Sequence, residues 1–496
     1  MSFNLFFEDE FNFTFNAIKR VVISGDNYED RLKVAIAADI FSFSPTIYES
    51  NSRGISMNIY ESLVRPNKFL QLQPQLALSW GLREDGLTWD FKLRGDVKFH
   101  DGSLFDADDV IASIKLASES EGSQVKTLLT NIDSYQKIDD KLIRIKTKTP
   151  DVVFPRKIGV VLIFPSEKVS EINAGNPIGT GPYKFYKHTK GQSIALEVNE
   201  NYWGIQPKYK NVIFYILKDK FDRLNALKGG VIDILLNVPP SYTQEIEQAG
   251  YEVKVRPGLE TNFLFFNFND SDIQNKNVRI AISHIIDKKS LSNLGESFLK
   301  PIYQFVPTGI LGYNADISGY EFDKLLAQSL ARDNLQKGRK MNLVLSDRML
   351  LFGNELKKNF ALIGIELNIV SVPDNQLIDE IKKGESQLYF IGWRFELGDV
   401  GDFLGEVIHS RDDFAKWGKL NFTGFKDNEL DRLIEESFST LDFNKRTGLL
   451  KHIMAKIVED YVLGIPLFES KIIYAHAPRI KWEPRMDTYF LASEVK

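Results

Sequence analysis

The sequence predicts an α/β protein of two or three domains, and three observations carry that expectation. Its 496 residues exceed what one ordinary core fills. Strand-like runs alternate with helix-periodic runs over most of the chain. No stretch approaches 18 consecutive apolar residues, the length that reads as a membrane span, while 43% hydrophobic and 26% charged residues are ordinary values for a globular protein.

The elements follow in order. Met1 to Asn16 has neither a basic start nor an unbroken apolar stretch, so it does not read as a secretory signal. Phe11, Phe13 and Phe15 alternate with polar residues and suggest an edge strand. LKVAIAADIF, from Leu32, reads as a buried strand, and Pro45 sets a turn in the loop after it. Trp89, Phe91 and Leu93 alternate with Asp90, Lys92 and Arg94, and Gly95-Asp96 is read as the turn of a hairpin that Val97 and Phe99 continue. Asp106 is placed to cap a helix carrying Val110, Ile111 and Ile114 on one side, with Asp109 completing a capping box. SIALEVN from Ser193 and VIFYIL from Val212 read as strands, and DKFDRLNALKGG as a helix stopped at Gly229-Gly230. FLFFNFND is a strand. NVRIAISHIIDKKSL is helical, with Val278, Ala281, Ile285 and Leu291 on one side and some drift. MNLVLS and IELNIVSV are strands around a helix near 355–362, LYFIGW is a buried strand, and FKDNELDRLIEESFSTL is an amphipathic helix. No repeat at solenoid spacing is present.

Composition removes several function classes. A net charge of −5 with no long Lys or Arg run argues against a nucleic-acid partner. The absence of cysteine excludes disulfides, thiolate metal sites, a cysteine nucleophile and a lipid-bearing N-terminal cysteine. The six histidines, His100, His188, His284, His409, His452 and His476, include no pair at metal-binding spacing on one helix, and no G-x-S-x-G elbow supports a hydrolase. No cofactor or metal is expected. GTGPYKF at Gly179 is not a phosphate loop: Lys184 occupies the third required glycine position, and the glycines with Pro182 describe a turn. His100 and Asp101 are neighbours on a strand and point to opposite faces, so Asp101-Gly102 is a turn rather than half of an acid/base pair.

The segment from Asp85 to Lys115, DGLTWDFKLRGDVKFHDGSLFDADDVIASIK, resembles the bacterial extracellular solute-binding proteins of family 5, the substrate-binding components of peptide-type ABC importers. The resemblance recurs in order at NIYESLV from Asn58, PQLALSW from Pro74, NPIGTGPYKF from Asn176, NENYWG from Asn199, FFNFND from Phe265, VRIAISHIIDKKSL from Val278, GWRFELGDVGDFL from Gly392 and FKDNELDRLIEES from Phe425. It implies a periplasmic binding protein-like fold (type II, cluster C): two large lobes, with an extra small domain in the first. The implied division is an N-terminal extension over 1–31, lobe I over 32–62, 166–260 and 479–496, a small inserted domain over 63–165, and lobe II over 261–478.

The resemblance also implies the function: a monomer, not an enzyme, that binds di- or oligopeptides in a cleft between closing lobes and delivers them to permease subunits of an ABC transporter. The implied location is periplasmic or otherwise extracytoplasmic, although neither a signal peptide nor a lipid-anchor cysteine is visible in this chain. An oligosaccharide, an opine or a metal chelate in the same fold, or a cytosolic solute sensor, are alternatives. Peptide-binding members place a carboxylate three residues after the tryptophan of the GW motif, where it meets the ligand's ammonium. Glu396 holds that position here, where Asp is usual, and Val400 stands where proline is favoured. LYFIGW delivers these residues to its carboxyl end, the edge at which open α/β sheets bind ligands. Trp393 is either core packing or site wall. Arg394 either meets an acidic group or faces solvent, and Asp399 belongs to the acidic loop that follows. In the first lobe, Glu49, Ser50 and Asn51 are either a polar loop or a segment that pairs with the ligand backbone like an added strand.

Overall fold

The computed structural model describes residues 30–295, 298–415 and 417–496. The alternation at Phe11, Phe13 and Phe15 lies outside the described residues. The chain divides into two compact units. Among the described residues the first holds 30–150, 154–256 and 472–496, and the second holds 151–153 and 257–471. Both mix helices with sheet, the α/β class expected from the sequence.

In the first unit Arg31–Ile36 pairs in parallel with Asn211–Ile216 on one side and with Ile234–Leu235 on the other. Ser193–Val198 and Tyr183–Thr189 extend the sheet antiparallel. Asn211–Ile216 is buried along its whole length, which is why it reads as a continuous apolar run: a strand covered on both faces has no wet face to alternate with. Leu32, Val34, Val212, Phe214, Ile194 and Leu196 form the core with Phe490 and Trp482 of the C-terminal segment. The helix Lys220–Lys228 starts at Asp219, whose side chain accepts from Phe221 and Asp222 N–H, and stops at Gly229.

A second sheet, with strands Ala77–Leu82, Thr88–Leu93, Leu142–Thr147 and Ile132–Asp139 in that order, is antiparallel throughout. Here the expected hairpin is shifted. Thr88–Leu93 turns back on Ala77–Leu82 through Asp85-Gly86, whose Asp85 carboxylate accepts from Leu87 and Thr88 N–H at 3.0 and 2.9 Å. Val97 and Phe99 are buried, but they lie in a short loop closed by one Lys98–Leu104 bridge rather than in a returning strand. Their alternation satisfies the core without a ladder. The helix Ala107–Glu119 has the capping box foreseen at Asp106 and Asp109.

Four of the segments that carry the family resemblance, those from Asn58, Pro74, Asn176 and Asn199, meet at one buried carboxylate in this unit. Glu61 is 2% exposed. Its Oε1 accepts from Gln75 Nε2 (3.1 Å) and Tyr202 OH (2.9 Å), and its Oε2 from Thr180 Oγ1 (2.9 Å) and Trp203 Nε1 (2.7 Å). Burial pushes the Glu61 pKa up, and the Trp203, Tyr202 and Thr180 bonds oppose it. Arg94 stacks on the Trp203 ring at 4.2 Å, and its Nε donates to Gln75 O at 2.6 Å. The GTGPY turn passes so close to residues 58–60 that a Cβ on Gly179 or Gly181 would lie 2.2 or 2.6 Å from Ile59 O. His100 locks the same turn. Gly179 N–H donates to its Nδ1 at 3.3 Å, which leaves the proton on Nε2 to donate to Gly181 O at 3.0 Å. Burial holds the ring neutral, with its pKa pushed down to about 4.

In the second unit the strand order is Glu366–Val372, Lys340–Ser346, Leu388–Arg394, Glu252–Phe266 and Gly464–His476. The first three are mutually parallel, and Glu252–Phe266 runs antiparallel to Leu388–Arg394. The helix read at NVRIAISHIIDKKSL is two helices, Lys276–Ile285 and Lys288–Asn293, separated by Ile286 and Asp287. Asp287 caps the second by accepting from Lys289 and Ser290 N–H, and the break accounts for the drift in its apolar spacing. Lys288 is buried within this turn. Its Nζ donates to Ile302 O at 3.1 Å and lies 4.4 Å from the Tyr303 ring centroid.

Two outcomes are expected. Glu61→Ala strands four donors in the interior and should lower the unfolding free energy by about 3–5 kcal/mol in urea titrations. For Lys288, burial pushes the pKa down from 10.5 to about 7. Between these values the unfolded chain holds a proton that the folded chain has lost, so stability should climb as pH rises from 7 toward 10, by at most about 1.4 kcal/mol per pH unit. Lys288→Met should raise the urea midpoint at pH 7 and abolish that climb.

Candidate functional site

The strand Leu388–Arg394 begins buried, and burial falls away toward its carboxyl end at Trp393 and Arg394. Its antiparallel register sets Arg394 opposite Glu260, Trp393 opposite Thr261 and Gly392 opposite Asn262. Side chains alternate across a strand, so Glu260, Asn262 and Arg394 share one face and Trp393 takes the other. Trp393 packs edge-on against Phe403 at 5.8 Å, in an aromatic cluster with Phe263, Phe265, Phe305 and Phe395. It is half-buried and anchors the strand end to the core.

The chain then turns sharply. Phe395 N–H donates to Leu259 O at 2.9 Å and Glu396 N–H to Arg394 O at 3.0 Å. This brings the Glu396 carboxylate onto Arg394, with Nε to Oε1 at 2.7 Å. Both side chains remain partly exposed, at 17% for Glu396 and 27% for Arg394. The two groups expected to meet a ligand therefore meet each other.

Asp399 has a different role. It is 3% exposed and forms a two-pronged pair with Arg446, with Nη1 to Oδ2 at 2.6 Å and Nη2 to Oδ1 at 2.8 Å; Oδ1 also accepts from Gly401 N–H at 2.8 Å. Its oxygens are taken up by the protein, so it shapes the loop from within. Val400, which replaces the favoured proline, is fully buried. Its N–H donates to Leu311 O at 3.0 Å, a bond proline cannot make. Leu311 N–H in turn donates to Gly398 O at 3.2 Å.

Glu49, Ser50 and Asn51 lie in the first unit and open a helix, Ser50–Ser56. Glu49 is its cap: Oε1 accepts from Asn51 N–H at 2.8 Å and Oε2 from Ser52 N–H at 2.9 Å. These residues form a helical turn rather than an extended edge, so no ladder is available there for strand addition. Ser50 is exposed and Asn51 half-buried.

Two residues beside the Glu396 loop were not singled out in the sequence. Glu260 and Asn262 are joined by a bond from Asn262 Nδ2 to Glu260 Oε1 at 3.3 Å. Their signal is the alternation of Glu260 and Asn262 with Thr261 and Phe263 just ahead of the apolar run. Among the described residues no group of His, Cys, Asp or Glu is arranged to hold a metal ion.

A mixed sheet with exposed charges at the carboxyl end of one strand, and a loop pinned beneath them, is the frame of a small-molecule binder. The model for bacterial extracellular solute-binding proteins, family 5 Middle, matches residues 71–414. The chain belongs to this family. Heme-binding protein A of Haemophilus influenzae is 27% identical over 485 residues, covering 88% of this chain and 87% of that protein. The dipeptide-binding protein of Escherichia coli is 24% identical over 455 residues, covering 82% of each. Among solved structures, HbpA2 from Haemophilus parasuis superposes with a TM-score of 0.86 at 22% identity, over 94% of this chain and 99% of that one. The family 5 binding-protein fold is thereby established, and the chain is a solute-binding protein rather than an enzyme. No helix among the described residues is long and apolar enough to cross a membrane.

The Asp399–Arg446 pair yields a further test. Asp399→Ala leaves a buried guanidinium without its carboxylate and should cost about 3–5 kcal/mol of stability. The double variant with Arg446→Met should recover a large part of that loss in chemical denaturation.

Proposed function

We propose that this chain captures a peptide by its free α-ammonium group and hands it to the permease of an ABC importer outside the cytoplasmic membrane, acting as a monomer. The observation that supports this reading is Glu396. It stands three residues after Trp393, just past the end of a strand, with its side chain 17% exposed and within one turn of an internally pinned loop. A primary ammonium fits such a group because it brings three donors and a full charge to an acceptor already fixed in place. The dipeptide-binding relative from Escherichia coli makes peptides the first solutes to try.

The remaining residues take supporting roles. Arg394 balances Glu396 until the ligand arrives. Trp393 holds the strand end against the Phe403 cluster, and Asp399 fixes the loop through Arg446. In the first unit, Glu49 keeps the helical start at Ser50 and Asn51 in shape.

Calorimetry with a panel of di- and oligopeptides tests the reading. Glu396→Ala should weaken a free-amine peptide at least about a hundredfold, because it leaves the ammonium without its partner. N-acetylation of the peptide should weaken binding to the unmodified protein to a similar degree. Equal affinity for the free and acetylated peptide would sink the ammonium role, and binding of sugars or chelates but no peptide would sink the ligand class.

A further inference from the structure

Glu396 is not waiting unpaired for a ligand; Arg394 already sits on it at 2.7 Å. An arriving ammonium must therefore share or displace a guanidinium, and a displaced guanidinium needs another acceptor close by. The register supplies one. Glu260 lies directly across the strand pair from Arg394, where Cβ atoms stand about 5 Å apart, within easy reach of an arginine side chain. Glu260 is itself held in place: Asn262 Nδ2 donates to its Oε1 at 3.3 Å, which leaves Oε2 for a second donor.

A second observation points to a donor arriving at this spot. Asn262 is 4% exposed, yet its Oδ1 accepts no hydrogen bond from any described residue. An amide oxygen that the fold leaves without a donor has a lone pair open to one from a ligand. The oxygen faces Gly392, where an added Cβ would lie 3.1 Å from both Asn262 Oδ1 and Glu260 Oε1. Gly392 is exposed, so its missing side chain leaves a notch lined by acceptors and open to solvent.

We propose that Glu260 is a positioning residue for ligand capture: it takes Arg394 over from Glu396 when the ligand's ammonium binds, while Asn262 Oδ1 accepts a hydrogen bond from the ammonium over Gly392. The charges balance in this exchange. Glu260, Glu396 and Arg394 together carry −1, and a single ammonium neutralises the set, so no carboxylate is left unpaired once the ligand is seated. The inference rests on the peptide-ammonium reading of the site.

Four proteins separate the possibilities by calorimetry with one free-amine dipeptide that the unaltered protein binds. Glu260→Gln should weaken binding about tenfold or more, because Arg394 then stays on Glu396 and competes with the ligand. Arg394→Gln should bind at least as tightly as the unaltered protein. The double variant should return to within about threefold of the unaltered protein, since no guanidinium remains to be displaced. A merely structural Glu260 would show no such rescue. Unchanged affinity in Glu260→Gln, or a double variant as weak as Glu260→Gln alone, would overturn the proposal. Failure of the underlying reading is distinguishable, because the unaltered protein would then bind free and acetylated dipeptides alike.

Discussion

Much of the first unit depends on one carboxylate kept out of water. Glu61 is buried where a charge is expensive, and it is tolerated because its two oxygens accept four bonds from three separate places in the chain. Those places are far apart in sequence, so the bonds staple the segment around Glu61 to the approach to the small antiparallel sheet, the GTGPY turn and the NYWG turn. The arrangement is directional. Each donor reaches its own lone pair, and a side chain of different length would leave several of them dry and unmade. Gly179, Gly181 and His100 close the same knot from outside by contacts with the backbone of residues 58–60 and with each other. The segments by which the family is recognised are thus largely a description of this knot, not of the ligand site.

The second unit uses the same principle beneath its candidate site. Asp399 and Arg446 form a buried pair with further ties to the protein: Arg446 Nε donates to Ser437 O at 2.9 Å, and Asp399 Oδ1 accepts from Gly401 N–H. The bonds between Leu311, Gly398 and Val400 add backbone rigidity. A binding carboxylate held by such a loop loses little freedom when a ligand arrives, which is how pre-organisation contributes to affinity.

The sequence made local structure legible and left long-range partnership hidden. The capped helix at Asp106, the helix ended by Gly229 and the buried strand at Val212 follow from patterns a few residues long. The hairpin was displaced because Val97 and Phe99 carry strand-like alternation yet satisfy it by burial alone. The helix break at Asp287 was written as a cap, but apolar spacing that continues from Ile285 to Leu291 masked it. Glu49 was missed as a cap because glutamate is an uncommon one and SNSRGIS is a poor helix sequence, with glycine and three serines. At the site, Glu396 could be read through the family resemblance alone, and its place at a strand end from the buried run LYFIGW. That Asp399 would spend its charge on Arg446, 47 residues away, could not, and neither could the register that brings Glu260 across from Arg394.

If Glu396 is the ammonium's partner, as proposed, the Arg394–Glu396 contact bears on how tightly the ligand is held. A bare carboxylate in the unliganded protein would be stripped of water or left to bulk counter-ions, and a ligand cation would gain the whole of that attraction. With an arginine already in place, capture becomes the replacement of one positive group by another on the same oxygens. The reverse step has a resident competitor ready at every moment. On the proposed reading, selectivity for an amine comes from geometry, while the grip is moderated from within by the protein's own guanidinium.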